Sequence, residues 1–144
     1  MMAEGLSKEE RDAVKERAKE LRAQEKAGKN RQAGLKAVLE AIEKLDAADQ
    51  KLAKGVHDIV TDVAPHLVPK TYYGMPGWAN EEGKIVVFVQ PASKFKTRYS
   101  TLGFEQPAQL DDGDMWPSAF ALLKLTPETK KRVTELVKKA APAS

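Results

Sequence analysis

The chain has 144 residues, enough for one domain, with 42% hydrophobic and 31% charged residues and a formal net charge of only +3. That near-balance gives whole-molecule electrostatics little hold on a polyanion, so no nucleic-acid partner is expected. There is no cysteine, which excludes disulfides, thiolate metal sites, iron–sulfur clusters and a cysteine nucleophile, and fits a reducing cytoplasm.

The first five residues lack the basic run and apolar core of a signal peptide, and no apolar run approaches the ~18 residues of a membrane span. No membrane association is expected. Residues 7 to 27 read as a charged helix opened by Ser7 and Glu10 at capping-box spacing. Its apolar line, Val14, Ala18 and Leu21, is too narrow to join a core, so a solvated lead-in helix is predicted, with docking to a protein partner as its other use. Residues 27 to 34 hold two glycines, an asparagine and basic side chains, and read as a flexible linker. The predicted division is therefore a charged helical extension and linker over 1–31 and an α+β domain over 32–144.

Leu35, Val38, Leu39, Ile42 and Leu45 form one helical face, and Leu52, Val56, Ile59, Val60 and Val63 a second. Asp46 caps the second helix and Pro65 ends it. Lys70-Thr71-Tyr72-Tyr73-Gly74-Met75-Pro76-Gly77-Trp78 reads as an extended segment broken by a sharp turn, since Met75 before proline is pushed out of the helical region. Residues 84 to 90 are apolar on both alternations and predict a central strand covered on both faces. A mixed strand is predicted over 95 to 104 and a last strand over 116 to 125, with Pro117 at its start or near an edge. Short connections imply antiparallel pairing. Thr126-Pro127 opens a C-terminal helix whose buried stripe is Val133, Leu136, Val137 and Ala140. The predicted fold is α+β: an antiparallel sheet of about four to five strands packed by N-terminal helices and a C-terminal helix.

Three constellations carry possible chemistry. His57, Asp58, Asp62 and His66 do not converge on one helix face, so a solvated face is expected rather than a metal site. Asp111, Asp112 and Asp114 around Gly113 resemble part of a calcium loop without its terminal glutamate, and read first as a self-capping turn. Lys94, Lys96 and Arg98 alternate at period two on one strand face, beside Tyr99, and form a small electropositive strip, suited either to an anionic ligand or to guarding an exposed edge by charge. No phosphate loop, dinucleotide fingerprint, nucleophile elbow or hydroxyl with a local base is present.

Pro65-His66-Leu67, Lys70-Thr71-Tyr72-Tyr73-Gly74-Met75-Pro76, Gly83-Lys84-Ile85-Val86 and the C-terminal helix resemble the bacterial YdhG-like family, over about residues 35 to 141. Lys94-Phe95-Lys96-Thr97-Arg98-Tyr99, Leu102-Gly103-Phe104, Leu110-Asp111-Asp112-Gly113 and Met115-Trp116-Pro117 resemble one subgroup of it. The resemblance implies helices packed on an antiparallel sheet, related in outline to frataxin, and a possible activity as an intracellular iron chaperone. Asp111, Asp112 and Asp114 are the one place this chain offers for such iron, an inference from its own residues rather than from the family.

The residues themselves point to a non-enzymatic binding domain. Its expected ligand site lies near Tyr73, Met75 and Trp78 with Lys96, Arg98, Tyr99 and Trp116, where the rings stack a small organic ligand and the cations hold its negative group. Iron delivery through the three aspartates is the alternative.

Overall fold

The structure, a computed structural model, describes residues 7–27 and 31–143. The reading of residues 1–5 as lacking a leader, and the middle of the proposed linker (28–30), lie outside the described residues. The protein is α+β; the described residues form five helices and a five-stranded antiparallel sheet. The helices are α1 (Lys8–Ala27), α2 (Arg31–Glu43), α3 (Ala47–Val63), α4 (Ala92–Phe95) and α5 (Pro127–Ala140). The strands are β1 (Val68–Pro69), β2 (Gly77–Ala79), β3 (Ile85–Gln90), β4 (Ser100–Phe104) and β5 (Ala119–Leu122), ordered in space as in sequence. None of the described helices is long and apolar enough to cross a membrane.

Local chemistry sets the helix starts. Ser7 Oγ accepts from the Glu10 N–H (3.1 Å) while Glu10 Oε1 accepts from the Ser7 N–H (3.2 Å), a closed capping box. Asp46 Oδ1 accepts from the Asp49 N–H (2.9 Å) and Thr126 Oγ1 from the Thr129 N–H (3.1 Å). Helix α2 begins at Arg31, so residues 31 to 34 are helical rather than linker. The reason is tertiary: Arg31 Nη1 donates to the Leu67 carbonyl (3.0 Å), and Gly34 brings α2 so near β1 that an added Cβ would lie 2.1 Å from the Pro69 oxygen.

Helices α2, α3 and α5 cover one sheet face. Val38, Ile42, Val56, Val60, Val133 and Val137 meet Trp78, Val87, Val89, Leu102, Phe104 and Leu122 in one core. Strand β3 sits at the centre, between β2 and β4. On the opposite face Phe88 stands between Gly77 and Gly103 on the flanking strands, its ring lying over the bare Gly103 backbone.

Two predicted strands change. The segment read as a strand from 95 opens as α4, and Lys96 closes that helix in the left-handed region (φ 55°) before β4 begins at Ser100. The cause is remote: Pro91, the N-cap residue of α4, supplies no side-chain bond, and the buried Asp49 carboxylate of α3 accepts instead from the Ser93 N–H (2.9 Å) and from the Ser93 hydroxyl. The last strand is confined to Ala119–Leu122, leaving Met115, Trp116 and Pro117 in the loop before it.

Candidate functional site

The Tyr72–Met75 segment is a two-residue reversal. Tyr72 and Met75 exchange backbone hydrogen bonds of 2.8 and 2.9 Å, and Tyr73 (φ 53°) and Gly74 (φ 77°) both take positive φ. Two successive left-handed residues mark a primed hairpin turn, which glycine accepts freely and tyrosine only at a cost.

Helix α1 supplies what holds it. The Arg17 guanidinium lies over the rings of Tyr72 (5.2 Å) and Tyr73 (5.5 Å) and donates to the Thr71 carbonyl (3.4 Å). Glu20 Oε2 accepts from the Gly74 N–H (2.8 Å). Glu16 pairs with Lys94 (3.0 Å) and Glu9 with Lys96 (2.9 Å). The Lys96 bond holds the Glu9 carboxyl below the usual carboxylate range, and Glu9 in turn raises the Lys96 ammonium. Ala13, Arg17 and Glu20 thus form the docked stripe, at i, i+4 and i+7, while Val14 and Leu21 stay about half exposed (49% each). The helix is packed on the domain through its polar face, not solvated all round.

The turn is anchored from its other side too. Tyr72 Oη donates to Glu105 Oε2 (2.8 Å), and burial, followed by that bond, pushes the phenol up to about 12. Its ring meets Tyr73 edge-on (4.9 Å) and Phe88 at 5.4 Å.

Between α1, α2 and this turn lies a cleft of about 580 Å³. Glu16, Lys19 and Glu20 form one wall, Glu40 and Lys44 with Ala37 and Ala41 the other, and Thr71, Gly74, Ser93 and Lys94 the floor. The volume suits a small molecule. Lys94 is held by Glu16, Glu20 by the Gly74 amide, and Ser93 by Asp49, so the floor is pre-organised. Lys19 and Lys44 make no ion pair among the described residues.

The residues expected at a ligand site are dispersed. Tyr73 and Met75 belong to the reversal, Met75 with its side chain buried. Trp78 is 1% exposed, inside the core, and its indole N–H donates to Nδ1 of His57 (3.2 Å), so it has no face for a ligand. Because α4 replaces the expected strand, Lys94, Lys96 and Arg98 form no common strip. Lys94 enters the cleft, Lys96 reaches Glu9, and exposed Arg98 folds over the adjoining Tyr99 ring (5.0 Å). Trp116 is 37% exposed in the loop before β5, a strand separated from the β2 of Trp78 by both β3 and β4 in the sheet order. Asp111, Asp112 and Asp114 are exposed around Gly113 (φ 66°), and no group of three His, Cys, Asp or Glu among the described residues is placed to hold a metal ion. His57, expected on a solvated face, is 8% exposed, and burial holds its imidazole below the usual range.

The cleft residues on α1 and α2 lie outside the expected set. One signal was available for α1: Ala13, Arg17 and Glu20 share a stripe, with Glu16 beside it. Comparison of the chain with models of known families, with curated proteins and with solved structures finds no match.

Proposed function

We propose that the chain is a YdhG-like binding domain of the cytoplasm that holds a small polar ligand bearing a carboxylate or phosphate in the α1–α2 cleft, without catalysing a reaction on it. One observation carries the reading: Lys19 and Lys44 face a ligand-sized cleft without an ion-pair partner among the described residues, above a floor already fixed by its own hydrogen bonds. An ammonium so placed is a ready acceptor of a negative group, and the pre-set floor lowers the cost of ordering on binding. The lining carboxylates Glu16, Glu20, Glu40 and Asp46 stand against Lys19, Lys44 and Lys94, so the site favours a ligand that presents hydrogen-bond donors or a cationic group beside its anionic one, such as an amino acid-like one.

Calorimetric titration with a panel of small carboxylates and phosphate monoesters tests it. At least one is expected to bind, and Lys19→Glu with Lys44→Glu to weaken that binding by tenfold or more, about 1.4 kcal/mol, while the circular dichroism stays unchanged. A panel with no binder, or a binder indifferent to both substitutions, removes the reading. Iron delivery rests on the family resemblance alone, because Asp111, Asp112 and Asp114 sit exposed in a loop with no converging ligand group among the described residues.

A further inference from the structure

Strand β5 is the last in the sheet order and, among the described residues, pairs on one side only, with β4. Phe104 N–H donates to the Ser118 carbonyl (2.8 Å). In that antiparallel register the backbone groups of Phe120 and Leu122 face β4, and those of Ala119 and Ala121 face outward. Natural sheets usually blunt such an edge with charge. This one does the reverse. From Met115 to Leu123 runs a stretch of nine uncharged residues in a chain that is 31% charged. Met115 (87%), Leu123 (71%) and Trp116 (37%) are exposed, and Ala119 and Ala121 present no bulk in front of the edge. An exposed apolar run beside free backbone donors and acceptors marks an interaction surface.

The charges that bound the run say what covers it. Asp111, Asp112 and Asp114 stand before it and Lys124 just after it, all exposed and none in an ion pair among the described residues. The complement of a run that reads acidic, apolar, basic is the same run reversed. We propose that β5 pairs antiparallel with β5 of a second copy of this chain, joining the two sheets across a two-fold axis. The acidic loop of each copy then lies beside Lys124 of the other, whereas parallel pairing would bring like charges together. A four-residue strand flanked by three exposed apolar side chains makes a small interface, so the dimer is a dissociating one.

Analytical ultracentrifugation of the full chain from about 1 to 500 µM, a range set by small-interface affinities, is expected to show the mass moving from one chain to two. Ala121→Pro removes an outward N–H without touching the β4 ladder, and is expected to leave a single-chain mass throughout. Should that variant lose its native circular dichroism, Leu123→Lys repeats the test on an exposed side chain. Lys124→Glu is expected to weaken the dimer by tenfold or more, and Lys124→Glu combined with Asp114→Lys to restore it. A single-chain mass for the wild type at every concentration overturns the proposal. So does a dimer indifferent to Ala121→Pro and Leu123→Lys, or a charge reversal that the double exchange does not rescue.

Discussion

The indole N–H of Trp78 on β2 donates to Nδ1 of His57 on α3, the two rings stacked at 6.0 Å between centroids. With Nδ1 accepting, the neutral ring carries its proton on Nε2. Protonating Nδ1 removes the acceptor and places a donor against a donor, inside the core. Burial, and then Lys54, hold the imidazole below its ordinary value of 6.5. The folded state therefore binds this proton less readily than the unfolded state. The stability it confers is full above pH 6.5 and falls as pH drops through the lowered value. Urea unfolding at pH 7.5, 6 and 5 is expected to show that loss, and His57→Phe to flatten it. Because the substitution also strands the Trp78 N–H, it is expected to cost about 1–3 kcal/mol at neutral pH. A variant as pH-sensitive as the wild type in this window would place the titration elsewhere.

Tyr72 gives the opposite sign at the alkaline end. Its phenol is raised from 10.0 to about 12, first by burial and then by the bond to Glu105. The neutral form is favoured by folding, so this contribution is present below pH 10 and lost as pH rises toward 12. Spectrophotometric titration of tyrosine ionisation should show a late phase, absent in Tyr72→Phe. If the late phase survives in that variant, Tyr72 is not its source.

Gly34 makes a test of packing against propensity. In an exposed helix, glycine to alanine stabilises by about 1 kcal/mol. Here the new Cβ would lie 2.1 Å from the Pro69 backbone oxygen, which has no rotamer to yield with. Overpacking costs about 1–3 kcal/mol. Gly34→Ala is therefore expected to lower stability by up to about 2 kcal/mol in chemical denaturation. A stabilised variant would mean that α2 can lift from β1 freely.

Arg17 concentrates the attachment of α1. Arg17→Ala removes two cation–π contacts and the bond to the Thr71 carbonyl, worth about 1 kcal/mol together at a partly exposed site. The melting temperature is expected to fall by about 2–8 °C, with amide exchange quickening along α1 and unchanged in β3. Removing residues 1–30 is expected to leave the sheet with α2, α3 and α5 cooperatively folded, because Ala13 is the one buried apolar side chain among the described residues of α1. A fall beyond about 10 °C on that deletion would mean the helix is part of the core.

What could be read from residues alone follows the range of each interaction. The caps at Ser7, Asp46 and Thr126 bond three residues ahead, so local spacing reveals them. The stripes of α2, α3 and α5 are apolar and periodic, and they dictate both helix and burial. Helix α4 was not legible, because Asp49, which caps it, is 44 positions from Ser93. His57 reads as solvated until β2 brings Trp78, 21 positions on, against it. The cleft escaped for a different reason: α1 docks through Arg17 and Glu20, and pattern reading assigns charged side chains to solvent. Tyr73 and Gly74 were legible as a turn, while the partners of that turn were not.

The strands pair strictly in the order they are made, so each hairpin can close as the chain leaves the ribosome, without waiting for a distant segment. Helix α5 is the exception. It follows the last strand, yet Val133 and Val137 seal the same apolar layer as Val56 and Val60 of α3. During synthesis that layer therefore stands open until α5 emerges. A chain truncated after residue 125 and released is expected to carry the sheet with an uncovered greasy flank, and to be the form of this protein most in need of a chaperone.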